Sequence, residues 1–168
     1  MAVTLKKEKI IDRWSMVVKD GQGKAEEVFK DTGNYIQKSE APGVKAERVQ
    51  VRASFLKGVL GEERTFIRVL NKDLKHYKMY IGVRDYGNNL DLSWYLTFEP
   101  GFISRLISRL LGFLSKKTYV PDLDLFQQQD LAAYSTVVHH CFINAIEKIT
   151  KGTGQAIDRK SKGFLGIS

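Results

Sequence analysis

His139, His140 and Cys141 form the densest run of metal-ligand residue types in the chain. Adjacent residues on a helix diverge by about 100°, so these three cannot converge on one ion. His76 is the remaining histidine, and a zinc site would want more sulfur than a single cysteine offers. Cys141 therefore reads as a small core residue, and neither a metal nor a cofactor is expected. Gly21-Gln22-Gly23-Lys24 precedes a helical pattern, and amides at a helix start can hold phosphate. A P-loop, however, needs a longer glycine-framed loop and a hydroxyl after the lysine, where Ala25 stands. A dinucleotide fingerprint needs a third glycine where Glu26 stands. The segment reads as a turn. No serine sits in a nucleophile-elbow pattern. Glu26, Glu27, Glu62 and Glu63 look like solvated acids, and Asp91, near Ser93 and Tyr95, fits an arginine partner better than the role of a base. No catalytic constellation emerges, and the expectation is a non-enzymatic protein.

The elements that must position these groups follow from periodicity. Ile10 to Lys19 reads as a first strand, ended by the Asp20–Gly23 turn. From Lys24, residues Ala25, Val28, Phe29, Thr32, Tyr35 and Ile36 recur at three- and four-residue steps, predicting a helix with one buried face. Four strands follow at 46–54, 64–70, 76–84 and 90–98. In the first, Val49, Val51 and Ala53 alternate with Arg48, Gln50 and Arg52. In the third, Tyr77, Met79, Ile81 and Val83 alternate with Lys78, Tyr80, Gly82 and Arg84. In the last, Leu92, Trp94 and Leu96 alternate with Ser93, Tyr95 and Thr97. Asp85-Tyr86-Gly87-Asn88-Asn89 supplies a hairpin loop. A long helix from about Asp124 to Lys151 carries the stripe Leu131, Tyr134, Val138, Cys141, Phe142, Ala145 and Ile149, and Gly152-Thr153-Gly154 stops it.

Between the last strand and that helix, residues 102–117 predict a second amphipathic helix. Phe102, Ile103, Leu106, Ile107, Leu110, Leu111, Phe113 and Leu114 occupy one half of the wheel, and serines, Arg105, Arg109 and Lys116 the other. The segment holds no acid. The expected fold class is thus α+β, a two-layer sandwich with an antiparallel sheet of about five strands in the order β-α-β-β-β-β-α-α. In element order the arrangement over residues 10–150 resembles the half-repeat of the TATA-binding-protein-like fold, which implies a sheet covered on one face by helices and carries no function with it. One domain is expected over 1–151, followed by a flexible basic tail over 152–168.

Composition narrows the setting. The chain has 168 residues, 43% of them apolar, which suits one domain with its own core. The formal net charge is +8, favouring phosphate-bearing or acidic surfaces. The lone cysteine fits a reducing compartment, the first residues lack the apolar core of a secretion signal, and no apolar run reaches the length of a bilayer span. A cytoplasmic protein is expected, with contact at the inner face of the membrane open to it.

Two surfaces offer themselves for binding. The first is the amphipathic helix, with Ile103, Leu106, Ile107 and Leu110 as apolar anchors and Arg105 and Arg109 beside them. It would dock on a protein partner, a second copy of the chain, or an anionic membrane surface. The second is the sheet face turned away from the helices. If the apolar residues point inward, Arg48, Arg52, Lys78, Tyr80, Arg84 and Tyr95 share a wet face with a dent at Gly82. Arginine for phosphates and tyrosine for stacking is a combination used by single-strand nucleic-acid binders. A ligand pocket between sheet and helices, near Trp94, Tyr77 and His139, is the third option.

Overall fold

The computed structural model describes residues 2–4, 8–52, 63–99, 123–151 and 153–158, the first three by their backbone. The elements are β1 (Ala2–Thr4), β2 (Lys9–Val18), α1 (Ala25–Lys38), β3 (Val44–Arg52), β4 (Glu63–Asn71), β5 (Tyr77–Tyr86), β6 (Asn89–Phe98) and α2 (Leu125–Thr150). The predicted amphipathic helix, with Ile103, Arg105, Leu106, Ile107, Arg109 and Leu110, lies outside the described residues.

Six strands form one sheet in the order β1-β3-β4-β5-β6-β2. The five long strands pair antiparallel, as their alternation predicts. The short β1 was not anticipated; it adds to the β3 edge in parallel, with Val3 opposite Val51. β2 lies beside β6, so α1 carries the chain across the sheet from one edge to the far side. A single buried row runs across the sheet through Ile67, Ile81, Trp94 and Trp14. Against it pack Val28, Phe29 and Ile36 of α1 and Leu131, Val138, Phe142 and Ile146 of α2. This is the two-layer α+β arrangement expected.

Local chemistry sets the ends of these elements. Asp124 caps α2 by accepting from the Gln127 amide at 2.8 Å, while the Gln127 side chain accepts from the Asp124 amide. That reciprocal box satisfies two donors that the first turn would otherwise leave open. Asp20, with φ of 53°, makes the turn after β2, where a short polar side chain tolerates the left-handed region.

The stretch after α2 differs from the loose tail expected. Gln155 donates to the Val17 carbonyl at 2.6 Å and accepts from the Lys19 amide at 3.1 Å. Trp14 Nε1 donates to the Asp158 carbonyl at 2.6 Å, and Ile157 packs against the core. Residues 153–158 thus occupy part of the free edge of β2, which would otherwise present unpaired main-chain groups.

Candidate functional site, a cleft where the sheet divides

Register decides which side chains share a face. Arg48 stands opposite Ile67, which pairs with Ile81 and through it with Trp94. Arg48 and Arg52 therefore lie on the helix-bearing side of the sheet. Lys78, Tyr80, Arg84 and Tyr95 lie on the other, so the six residues do not form one wet face. Alternation told which residues of β3 go together, but the sense was reversed. Val51 on the outer side is buried, while the side chains of Arg48 and Arg52 reach solvent on the inner side. There Arg48 lies over the Phe29 ring at 4.9 Å and grips Glu26 of α1 with both terminal nitrogens, at 2.8 and 2.5 Å. This fork holds the Glu26 carboxyl below its ordinary range and the guanidinium above its own. Arg52 pairs with Glu63.

The outer face is not an open basic surface either. Arg68 joins it, opposite Tyr80. Arg68 is engaged by Glu47 at 2.6 Å, Arg84 by Asp91 at 2.8 Å, and Lys78 by Glu99 at 2.5 Å and Glu8 at 3.1 Å. Burial opposes charge on Lys78, but the two carboxylates outweigh it and raise its pKa. Tyr80 is only 1% exposed, and its hydroxyl donates to Glu8 at 2.8 Å. Burial first, and then the Glu8 charge, push the Tyr80 phenol well above its usual value. A tyrosine so enclosed offers no face for a base to stack on. Glu8, just ahead of β2, was not singled out in the sequence, since nothing in its lysine-rich surroundings distinguishes it from a solvated acid.

The dent expected at Gly82 is filled. The Phe66 ring lies over it, so that a methyl group at Gly82 would stand 2.6 Å from Phe66 Cε1, with Tyr80 edge-on to the same ring. Gly82→Ala should therefore lower stability by about 1–3 kcal/mol in urea titration. Adding Phe66→Ala should recover much of the clash component, which a double-mutant cycle isolates. Additive losses would show that the ring moves aside freely.

Phe66 and Gly82 are also the last pair of the β4–β5 ladder, although β5 continues to Tyr86 and β4 reaches back to Glu63. The two strands part there, and a cavity of about 380 Å³ opens between them. Arg48, Arg64, Arg84, Asp91, Ser93 and Tyr95 are among its lining. Three of the six predicted sheet-face residues, Arg48, Arg84 and Tyr95, thus meet at one cleft. Lys78, Tyr80 and Arg52 do not line it.

The interior option fares differently. Trp94 and His139 are wholly enclosed, and Tyr77 is buried against Phe98. Trp94 Nε1 donates to His139 Nδ1 at 2.9 Å, and the imidazole meets Trp14 and Trp94 edge-on with ring centroids 5.7 Å apart in each pair. His139 is a core residue. A second cavity, of about 350 Å³, lies on the flank of α2. Pro42, Val44, Leu74 and Val137 form its apolar wall, with Asp73 and Asp130 at its polar edge.

Comparison with family models, with curated proteins and with solved structures finds no match for this chain. No helix among the described residues is long and apolar enough to cross a membrane.

Proposed function

We propose that this chain is a non-enzymatic binding domain that associates with a second copy of itself. The contact joins the apolar, cationic segment 102–117 of one copy to the groove on α2 of the other. The observation that carries this reading is the exposure of Phe126, at 74%, beside Leu125 at 76%. Phe126, Asp130, Ala133 and Val137 follow at helical spacing along one stripe of α2, so the exposed ring extends the apolar wall of that groove.

Charge selects the partner. Asp73 and Asp130 edge the groove, and Asp122 and Asp124 shortly precede Leu125 in sequence. An anionic bilayer would be repelled there. The segment that suits an acid-edged apolar groove is a basic amphipathic helix, and residues 102–117 place Ile103, Leu106, Ile107 and Leu110 at i, i+3, i+4 and i+7. This is the anchor spacing of helix-in-groove recognition, with Arg105 and Arg109 to meet the acids.

Sedimentation across a concentration series tests the proposal. The parent should dimerise. Phe126→Ser with Asp130→Lys, both at exposed positions, should shift the dimer midpoint upward by at least tenfold and leave the circular dichroism unchanged. Leu106→Glu with Leu110→Glu should do the same. A parent chain that stays monomeric to millimolar concentration would overturn the reading. So would loss of the fold in the Leu106/Leu110 variant, or retention on phosphatidylglycerol vesicles that the groove variant leaves intact.

A further inference from the structure

We infer that the cleft between β4 and β5 binds one phosphate ester of about nucleotide size, independently of the association proposed above. The argument starts from donors that the fold leaves unspent. Arg84 gives Nε to Asp91 at 2.8 Å. Its two terminal nitrogens make no hydrogen bond among the described residues, and neither do the hydroxyls of Ser93 and Tyr95. All three residues line the same cavity, with Arg64 at its margin. Asp91 and the Tyr86 ring, over which the Arg84 guanidinium carbon lies 5.3 Å from the centroid, hold the guanidinium without consuming its fork. The anchor is therefore pre-organised for a ligand.

The donors present suit an oxyanion. Two terminal guanidinium nitrogens and two hydroxyls from β5 and β6 line the cleft, and its carboxylates Glu26, Asp85 and Asp91 are already engaged by Arg48, the Gly23 amide and Arg84. The three terminal oxygens of a phosphate monoester can accept from all four donors, and a guanidinium fork suits phosphate geometry. Size selects the rest. A cavity of about 380 Å³ falls at the lower end of the range for small-ligand sites, enough for one nucleotide and too little for a strand. Tyr95 is half-buried and Phe66 borders the same space, so a planar ring attached to the phosphate has aromatic surface to lie against. Of the other outer-face cations Arg68 and Lys78 are paired with carboxylates, so a longer strand would gain only Arg13, opposite Tyr95.

Isothermal titration at low salt with nucleoside 5′-monophosphates, the free nucleosides, inorganic phosphate and an eight-residue oligothymidylate tests the inference. The monophosphate should bind, at least tenfold more tightly than inorganic phosphate, and the nucleoside should not bind. Arg84→Gln should weaken the monophosphate about ten- to hundredfold, Arg84→Lys less, and Tyr95→Ala should erase the preference over inorganic phosphate. Lys38→Gln, at the far end of α1, should change nothing. No heat with any monophosphate at millimolar concentration would overturn the inference, as would equal affinity in a folded Arg84→Gln chain. A tenfold preference for the oligonucleotide would overturn it in favour of a strand-binding surface.

Discussion

Replacing His139 by alanine should cost about 3–5 kcal/mol of folding stability, the largest loss expected from any single substitution considered. The imidazole is completely enclosed, and it touches both tryptophans while accepting the Trp94 indole N–H at 2.9 Å. Truncation would open a void between two indoles and strand a buried donor. Each of these is a mechanism that produces large losses. The two contributions separate with His139→Phe, which refills the space and withholds the acceptor. That variant should keep the volume and lose the acceptor for the Trp94 N–H, about 1–3 kcal/mol. Urea titration followed by tryptophan fluorescence reads both variants, since the probe lies at the lesion. An alanine variant within 1 kcal/mol of the parent would mean that Trp94 finds another acceptor and that the core closes over the gap. For a domain whose whole stability is of the order of 5–15 kcal/mol, the expected loss puts the fold near its limit.

That a histidine holds the centre of the core was only half legible in the sequence. The stripe Leu131, Tyr134, Val138, Cys141, Phe142, Ala145 and Ile149 predicts the face of α2 that is in fact buried, Ile149 only partly so. A helix packed against both a sheet and a neighbouring helix buries a wider arc than one stripe. Here the arc takes in Ser135, His139, Ile143 and Ile146 as well, spaced at i, i+4, i+8 and i+11. Ile143 and Ile146 were the available signal, and they place His139 indoors.

The sheet repeats the lesson in another form. In β5 and β6 the apolar set is dense enough to fix both grouping and sense, and Met79, Ile81, Leu92, Trp94 and Leu96 are all buried as predicted. In β3 the alternation of Val49 and Val51 with arginines groups residues correctly and assigns them to the wrong side. Period-2 patterning states which residues share a face; it does not state which face the helices cover. Along β3 the outer side is the drier one, since Val51 is buried and the side chains of Arg48 and Arg52 are not. The cleft was illegible for a related reason. Arg48 and Arg84 come together only because β4 leaves the ladder at Phe66 and the cavity spans both sides of the sheet there. Parting of two strands carries no compositional mark.

Glu8→Ala should cost about 2–4 kcal/mol, although the residue looks like one more charge in a lysine-rich leader. Its side chain is 6% exposed and accepts from Thr97 at 2.6 Å, Tyr80 at 2.8 Å and Lys78 at 3.1 Å. The three donors do not lose equally when it goes. Lys78 keeps Glu99 at 2.5 Å, and Thr97 keeps the Lys78 carbonyl at 3.2 Å. Tyr80, 1% exposed, is left with a buried hydroxyl whose acceptor has gone, and burying a polar group without a partner is where the penalty concentrates. The cost should therefore be tied to the phenol. In the parent, Tyr80→Phe should destabilise by about 1–2 kcal/mol; in the Glu8→Ala chain the same change should be neutral or favourable, because it removes the stranded group. A double-mutant cycle by urea titration measures that coupling. Additive losses would show that Glu8 stabilises the fold through Lys78 and Thr97, and that Tyr80 is held on the sheet by packing alone.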